Sequence, residues 1–151
     1  MKLSEKALEI AISQIGQDEK PHGSNWGLPV KNYLQSVGIN FPASWCMAFI
    51  YWCFSEASKQ LKVTNAAIKT GGVLAAWNKA EKTKKSSTPS IGSVFIMDFG
   101  HGLGHTGIVK SFDDKFIYTI EGNTNDTGSR EGIEVCNKKR LRTSIKGYIN
   151  Y

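Results

Sequence analysis

The stretch SVFIMDFGHGLGHTGIVKSFDDKFIYTIEGN, residues 93–123, decides the fold. Short apolar runs alternate here with small or polar residues, and the breaks between them, HGLG and DD, carry turn chemistry. The segment therefore reads as three strands, SVFIMDF, HTGIVKSF and FIYTIEGN. Downstream, GIEVCNKK and IKGYINY extend the pattern across the separators DTGSRE and RTS, giving about five strands that pair antiparallel as a meander.

Upstream of a basic, Ser/Thr-rich connector at residues 82–92, the spacing is helical. In MKLSEKALEIAISQIGQ, apolar Leu3, Ala7, Leu8, Ile10, Ala11 and Ile15 recur at three and four residues, with Ser4 as cap and Gly16 as terminator. PVKNYLQSVG has Pro29 in a first turn and ends at Gly38. SWCMAFIYWCFSEASK, residues 44–59, is apolar on all sides as far as Phe54 and reads as a buried helix capped by Ser44. GGVLAAWNKAEK adds a short fourth helix with Val73, Leu74 and Trp77 inward. Helices first and sheet second is the order of an α+β domain, with helices packed on one face of an antiparallel sheet.

With 151 residues the chain can bury a core without staples, and 11% aromatic residues argue against disorder. No apolar run is long enough to cross a membrane, and the first helix is too interrupted by charge for an export signal. The net charge of +6 suits an anionic partner such as an envelope polymer. Basic residues lie at 79–85 and in KKRLR, residues 138–142, and read as solvated faces. Aromatics do not interleave with them and no nucleic-acid motif occurs, so nucleic acid is set aside. Asp18, Glu19, Asp126 and Glu131 are loop carboxylates without ligand spacing, and neither a metal nor a cofactor is expected.

Three cysteines cannot all pair, so at least one thiol is free. Cys46 falls in the first turn of the buried helix, where unpaired N–H groups and the helix dipole favour a thiolate and can hold an oxyanion. Cys53 lies two turns further on and reads as packing; Cys136, in a late strand, reads as a structural thiol. Of the three histidines, His22 and His101 lie in polar or glycine-rich loops, while His105 opens an apolar strand. Glu121 and Asn123 end the next strand. A strict two-residue turn at Asp113–Asp114 would put His105 and Glu121 on opposite faces. A three- or five-residue loop instead sets His105 opposite Asn123 and diagonal to Glu121, where either can orient the imidazole. The site therefore requires an odd loop.

WCMAF at a helix start, followed by GSVFIMDF, GLGHTGIV and TIEGNTN, resembles the CHAP family of cysteine, histidine-dependent amidohydrolases and peptidases. AISQIGQDEKPHGSNWG is similar to the family's opening helix and loop, and the likeness runs from about Ile10 to Tyr148. It implies a papain-like fold and cleavage of an amide in bacterial peptidoglycan, at the glycan to stem-peptide link or within the peptide. In those terms Cys46 is the nucleophile, His105 the general base, Glu121 the orienting carboxylate and Asn123 a supporting polar group. Asn25, Trp45 and Gly104 are read as substrate-binding positions, and the backbone N–H of Cys46 as part of the oxyanion hole.

The expectation is one CHAP-like catalytic domain over residues 1–151, monomeric, with no separate wall-binding domain. Without a leader it would be made in the cytoplasm and act in the periplasm or wall, as a phage lysin or an injected antibacterial effector. An effector would require an immunity protein in its producer. The competing reading is a non-catalytic wall-binding module that kept the fold.

Overall fold

The computed structural model of the chain describes residues 1–124 and 134–151, and of residues 123 and 124 the backbone only. Four helices come first: α1 (Leu3–Ser13), α2 (Leu28–Ser36), α3 (Cys46–Leu61) and α4 (Val73–Lys79). The strands follow as β1 (Lys85–Ser86), β2 (Val94–Gly100), β3 (Leu103–Phe112), β4 (Phe116–Thr124), β5 (Glu134–Leu141) and β6 (Gly147–Ile149). They form one antiparallel sheet in the order β1-β6-β2-β3-β4-β5. The α+β architecture expected from the helix-to-strand change of period is present.

Helix α3 is the core helix, burying Cys46, Met47, Ala48, Phe49, Ile50, Cys53, Phe54, Ala57 and Ser58. With α1 and α2 it covers one sheet face, presented by Val94, Ile96, Ile108, Ile120, Val135 and Ile149. Alternation sends Phe95, Met97, Val109, Ile117 and Tyr148 to the other face, where they make a second cluster with Ile145.

Strands β2 to β5 form the expected meander, but the last strand leaves it. From β5 the chain turns through a 3₁₀ turn at Arg142–Ser144 and reaches the far edge of β2, pairing Phe95 with Tyr148 and Val94 with Ile149. The reason is burial: at that edge Tyr148 joins the second cluster and Ile149 the main core, and Ile145 covers the second cluster on the way. A short strand inside the expected connector, β1, then pairs with β6.

Helix starts differ from expectation in two places. Ser4 lies inside α1, which starts behind Lys2 with the Lys2 backbone N–H donated to the Glu5 carboxylate at 3.2 Å. Ser44 does not cap α3. Trp45 is the capping position, without a side-chain cap bond, and Cys46 is the first residue of the helix.

The Asp113 turn is also not the odd loop expected. Phe112 pairs with Ile117, leaving the four residues Asp113 to Phe116 between them, and the Asp113 carboxylate accepts the backbone N–H groups of Lys115 and Phe116. The register then shifts by one at Lys110, so that Val109 faces Thr119 and Ile108 faces Ile120. This bulge restores the parity that an odd loop would have produced. Continued one residue, the register sets Gly107 against Glu121, and a Cβ on Gly107 would lie 2.6 Å from Glu121 Cγ.

Gly122 shows why the strand bearing Glu121 continues with glycine. A Cβ there would come within 2.7 Å of the Trp45 ring and 3.0 Å of Phe49 Cβ, so α3 and β4 approach through the missing side chain. Gly122→Ala is expected to cost about 1–3 kcal/mol through overpacking, or roughly 2–4 °C of melting temperature per kcal/mol. Thermal unfolding followed by circular dichroism checks this, and an unchanged melt would contradict the close approach.

Candidate active site

Three of the residues singled out from sequence converge. His105, on β3, is buried, and its Nε2 lies 2.7 Å from Glu121 Oε1 on β4. Nε2 being committed to the carboxylate, Nδ1 is the nitrogen left for the Cys46 thiol, whose interaction with His105 comes from the start of α3. Cys46 is itself 7% exposed. The chain therefore places a thiol, an imidazole and a carboxylate in sequence, at a helix start whose first N–H groups have no intrahelical acceptor.

Glu121 has no exposed surface and is saturated with donors. Besides His105, Oε1 accepts Arg140 Nη2 at 2.5 Å; Oε2 accepts Arg140 Nε at 2.9 Å and Thr119 Oγ1 at 2.6 Å. Burial by itself would push the Glu121 carboxyl up, but the bonds from Arg140 and then His105 outweigh it and hold it down at about 2. Burial likewise works against the His105 imidazolium, yet Cys46 and Glu121 together raise it from 6.5 to about 9.

Arg140 was not legible as a site residue. In the sequence it belongs to the basic run KKRLR, but alternation along β5 turns Arg140 to the face of Cys136, and the Glu121–Cys136 pairing puts that face beneath the carboxylate. The available signal was Arg among lysines, the residue suited to bidentate carboxylate contacts; the cross-strand register that gives it meaning is not readable locally.

The remaining expected positions divide. Trp45 has no exposed surface to offer a substrate. It anchors the start of α3 instead, stacked on Tyr33 at 5.6 Å between centroids and donating its indole N–H to Glu19 Oε2 at 2.7 Å. Glu19 is equally buried and also accepts the Gly23 N–H at 2.9 Å, so the loop before α2 grips the residue before Cys46. Asn25 sits half-buried in that loop with a left-handed backbone, φ 55°. Gly104 precedes His105, and a Cβ there would meet Met97 O at 2.7 Å and Val73 Cγ1 at 3.0 Å; packing requires this glycine. The nearby His101–Gly102 turn, with φ 57° and 77°, is a tight hairpin. The side chain of Asn123 lies outside the described residues. His22 is exposed and bonded to Asp18, while Cys53 is fully buried, which pushes its thiol up. Among the described residues no cluster of His, Cys, Asp and Glu could hold a metal ion, and no helix is long and apolar enough to cross a membrane.

A core helix that begins at a cysteine, packed on an antiparallel sheet bearing a histidine and a carboxylate, defines the papain-like α+β class. Within it, the chain belongs to the CHAP domain family, whose model matches residues 37–123, more than half of its length. Two solved structures share the fold over 99% of this chain. Ly7917 is 14% identical with a TM-score of 0.55, and the wild-type endolysin LysIME-EF1 is 16% identical with a TM-score of 0.56. At those identities the likeness is one of fold, and this chain covers 62% and 64% of theirs. No curated protein matches it in sequence.

Glu121 and His105 set a pH window for stability. Glu121 is depressed on folding, so its contribution is present above its usual 4.5 and is lost as pH falls toward about 2. His105 is raised, so its contribution is complete below 6.5 and is lost as pH rises toward about 9. Urea unfolding against pH is expected to lose stability in both directions, by a few kcal/mol over the acid limb. A Glu121→Gln protein with the same acid limb as wild type would contradict the assignment.

Proposed function

We propose that the protein is a peptidoglycan hydrolase that cleaves an amide through a Cys46 acyl-enzyme. The observation that carries the reading is the buried His105–Glu121 pair, 2.7 Å apart, with the thiol of Cys46 at the start of α3 interacting with the same imidazole. CHAP membership and an endolysin among the proteins sharing the fold support the substrate class.

In this reading Cys46 Sγ attacks the amide carbonyl, forming a C–S bond, while the backbone N–H of Cys46 and its neighbours at the start of α3 receive the oxyanion. The C–N bond breaks as the His105 imidazolium gives its proton to the leaving amine. Water then adds to the thioester, its proton passing to His105, and the C–S bond breaks to release the carboxylate product. Glu121 keeps Nε2 as a donor, which leaves Nδ1 to exchange protons with the thiol and the leaving group. Because His105 is held at about 9, its imidazolium is available across neutral pH and is lost in alkali.

The test is digestion of purified cell wall by wild type and Cys46→Ala, with fragments identified by mass spectrometry. Soluble fragments from wild type, and a loss of at least roughly 10³-fold in the variant, are expected. Their masses distinguish an amidase, which separates glycan from stem peptide, from a peptidase. Intact wall with wild type, or equal release by the variant, would overturn the reading.

A further inference from the structure

We infer that Arg140 is the positioning residue of this site, its guanidinium forked onto both oxygens of Glu121 so that the carboxylate presents one fixed edge to His105. The inference rests on the hydrolase reading for its kinetic consequences, but the geometry stands independently. Arg140 pairs across the sheet with Ile117, so its side chain runs along β5 past the Thr119–Lys138 pair to reach Glu121. Its Nη2 meets Oε1, the oxygen that also takes His105 Nε2, and its Nε meets Oε2, where Thr119 Oγ1 is the second donor. A carboxylate held at both oxygens cannot rotate about its terminal bond without breaking charge-assisted bonds, and with it the imidazole loses its freedom to turn away from Cys46.

A lysine could supply the charge but not the fork. Arg140 also lies beyond residues 37–123, the part of the chain matched to the family, so a chain segment after the shared motifs completes the site. Among the described residues, the groups facing Glu121 are His105 from β3, Thr119 from its own strand, and Arg140 and Cys136 from β5, with Cys46 of α3 behind His105. Two of its donors are cationic when His105 is protonated, and removing the permanent one leaves a buried carboxylate that protonates more easily.

Arg140→Met, Arg140→Lys, Thr119→Val and, as a control from the same basic run, Lys139→Met would be compared with wild type by two readouts. The first is cell-wall hydrolysis as kcat and KM against pH. The second, needing no substrate, is the downfield proton resonance of the His105 Nε2–H shared with Glu121. Arg140→Met is expected to lose that resonance, lower kcat by roughly 10- to 100-fold with KM little changed, and move the acid limb to higher pH. Arg140→Lys should keep the acid limb near its wild-type position with only part of kcat, and Lys139→Met should match wild type. Should Arg140→Met not fold, Arg140→Lys and Thr119→Val carry the test. Retention of both the resonance and kcat in the folded variants would overturn the inference. Loss of the resonance in Arg140→Met, with wild type inert toward cell wall, would leave Arg140 as the support of His105 while the hydrolase reading fell.

Discussion

A carboxylate with no access to water must find donors for both oxygens, and that requirement on Glu121 organises this half of the molecule. Among the described residues, its four hydrogen bonds come from three strands: His105 on β3, Thr119 on its own β4, and two from Arg140 on β5. Leaving such an anion unpaired costs several kcal/mol, so the three strands are held in one register by electrostatics as well as by their ladders. Together with Cys46, the same anion keeps His105 charged against the burial that would neutralise it.

The other half of the constraint is mechanical. Cys46 must start its helix at the imidazole, and the residue before it is clamped on three sides. Tyr33 of α2 stacks on Trp45, Glu19 accepts its indole N–H, and Gly122 of β4 leaves room for its ring. Glycine next to Glu121 is therefore part of the same device: one residue supplies the carboxylate, and the next lets the cysteine-bearing helix approach that strand. The tryptophan beside Cys46 acts from beneath, as a wedge, which its sequence neighbourhood did not distinguish from a substrate contact.

How much of this was legible in the chain follows from the range of each interaction. Helical spacing in residues 1–17 and 44–59, and the alternation over 93–123, are local, and they led directly to the α+β class. Cys46 was legible as a first-turn residue of the apolar helix, and His105 and Glu121 as members of two successive strands, because helical spacing and alternation are local signatures. The helix boundary was not, since Trp45 takes the capping position through tertiary packing in place of the better capping residue Ser44. The parity of β3 against β4 was needed but was achieved differently, by a bulge at Lys110 and not by the turn. The path of the last strand depended on which sheet edge offered burial for Tyr148 and Ile149, a long-range contest that a meander rule cannot judge. Arg140 was hidden for the same reason, because one arginine of a cationic run becomes a half-buried clamp only once its partner strand is known.

The sharpest electrostatic balance lies at His105: burial favours the neutral ring, and the thiol on one side and the carboxylate on the other reverse that preference. Nuclear magnetic resonance titration of the histidine ring protons tests this directly, with exposed His22 and His101 as internal references. A His105 midpoint raised well above 6.5, toward about 9, is expected. A midpoint at or below that of the two exposed histidines would contradict it.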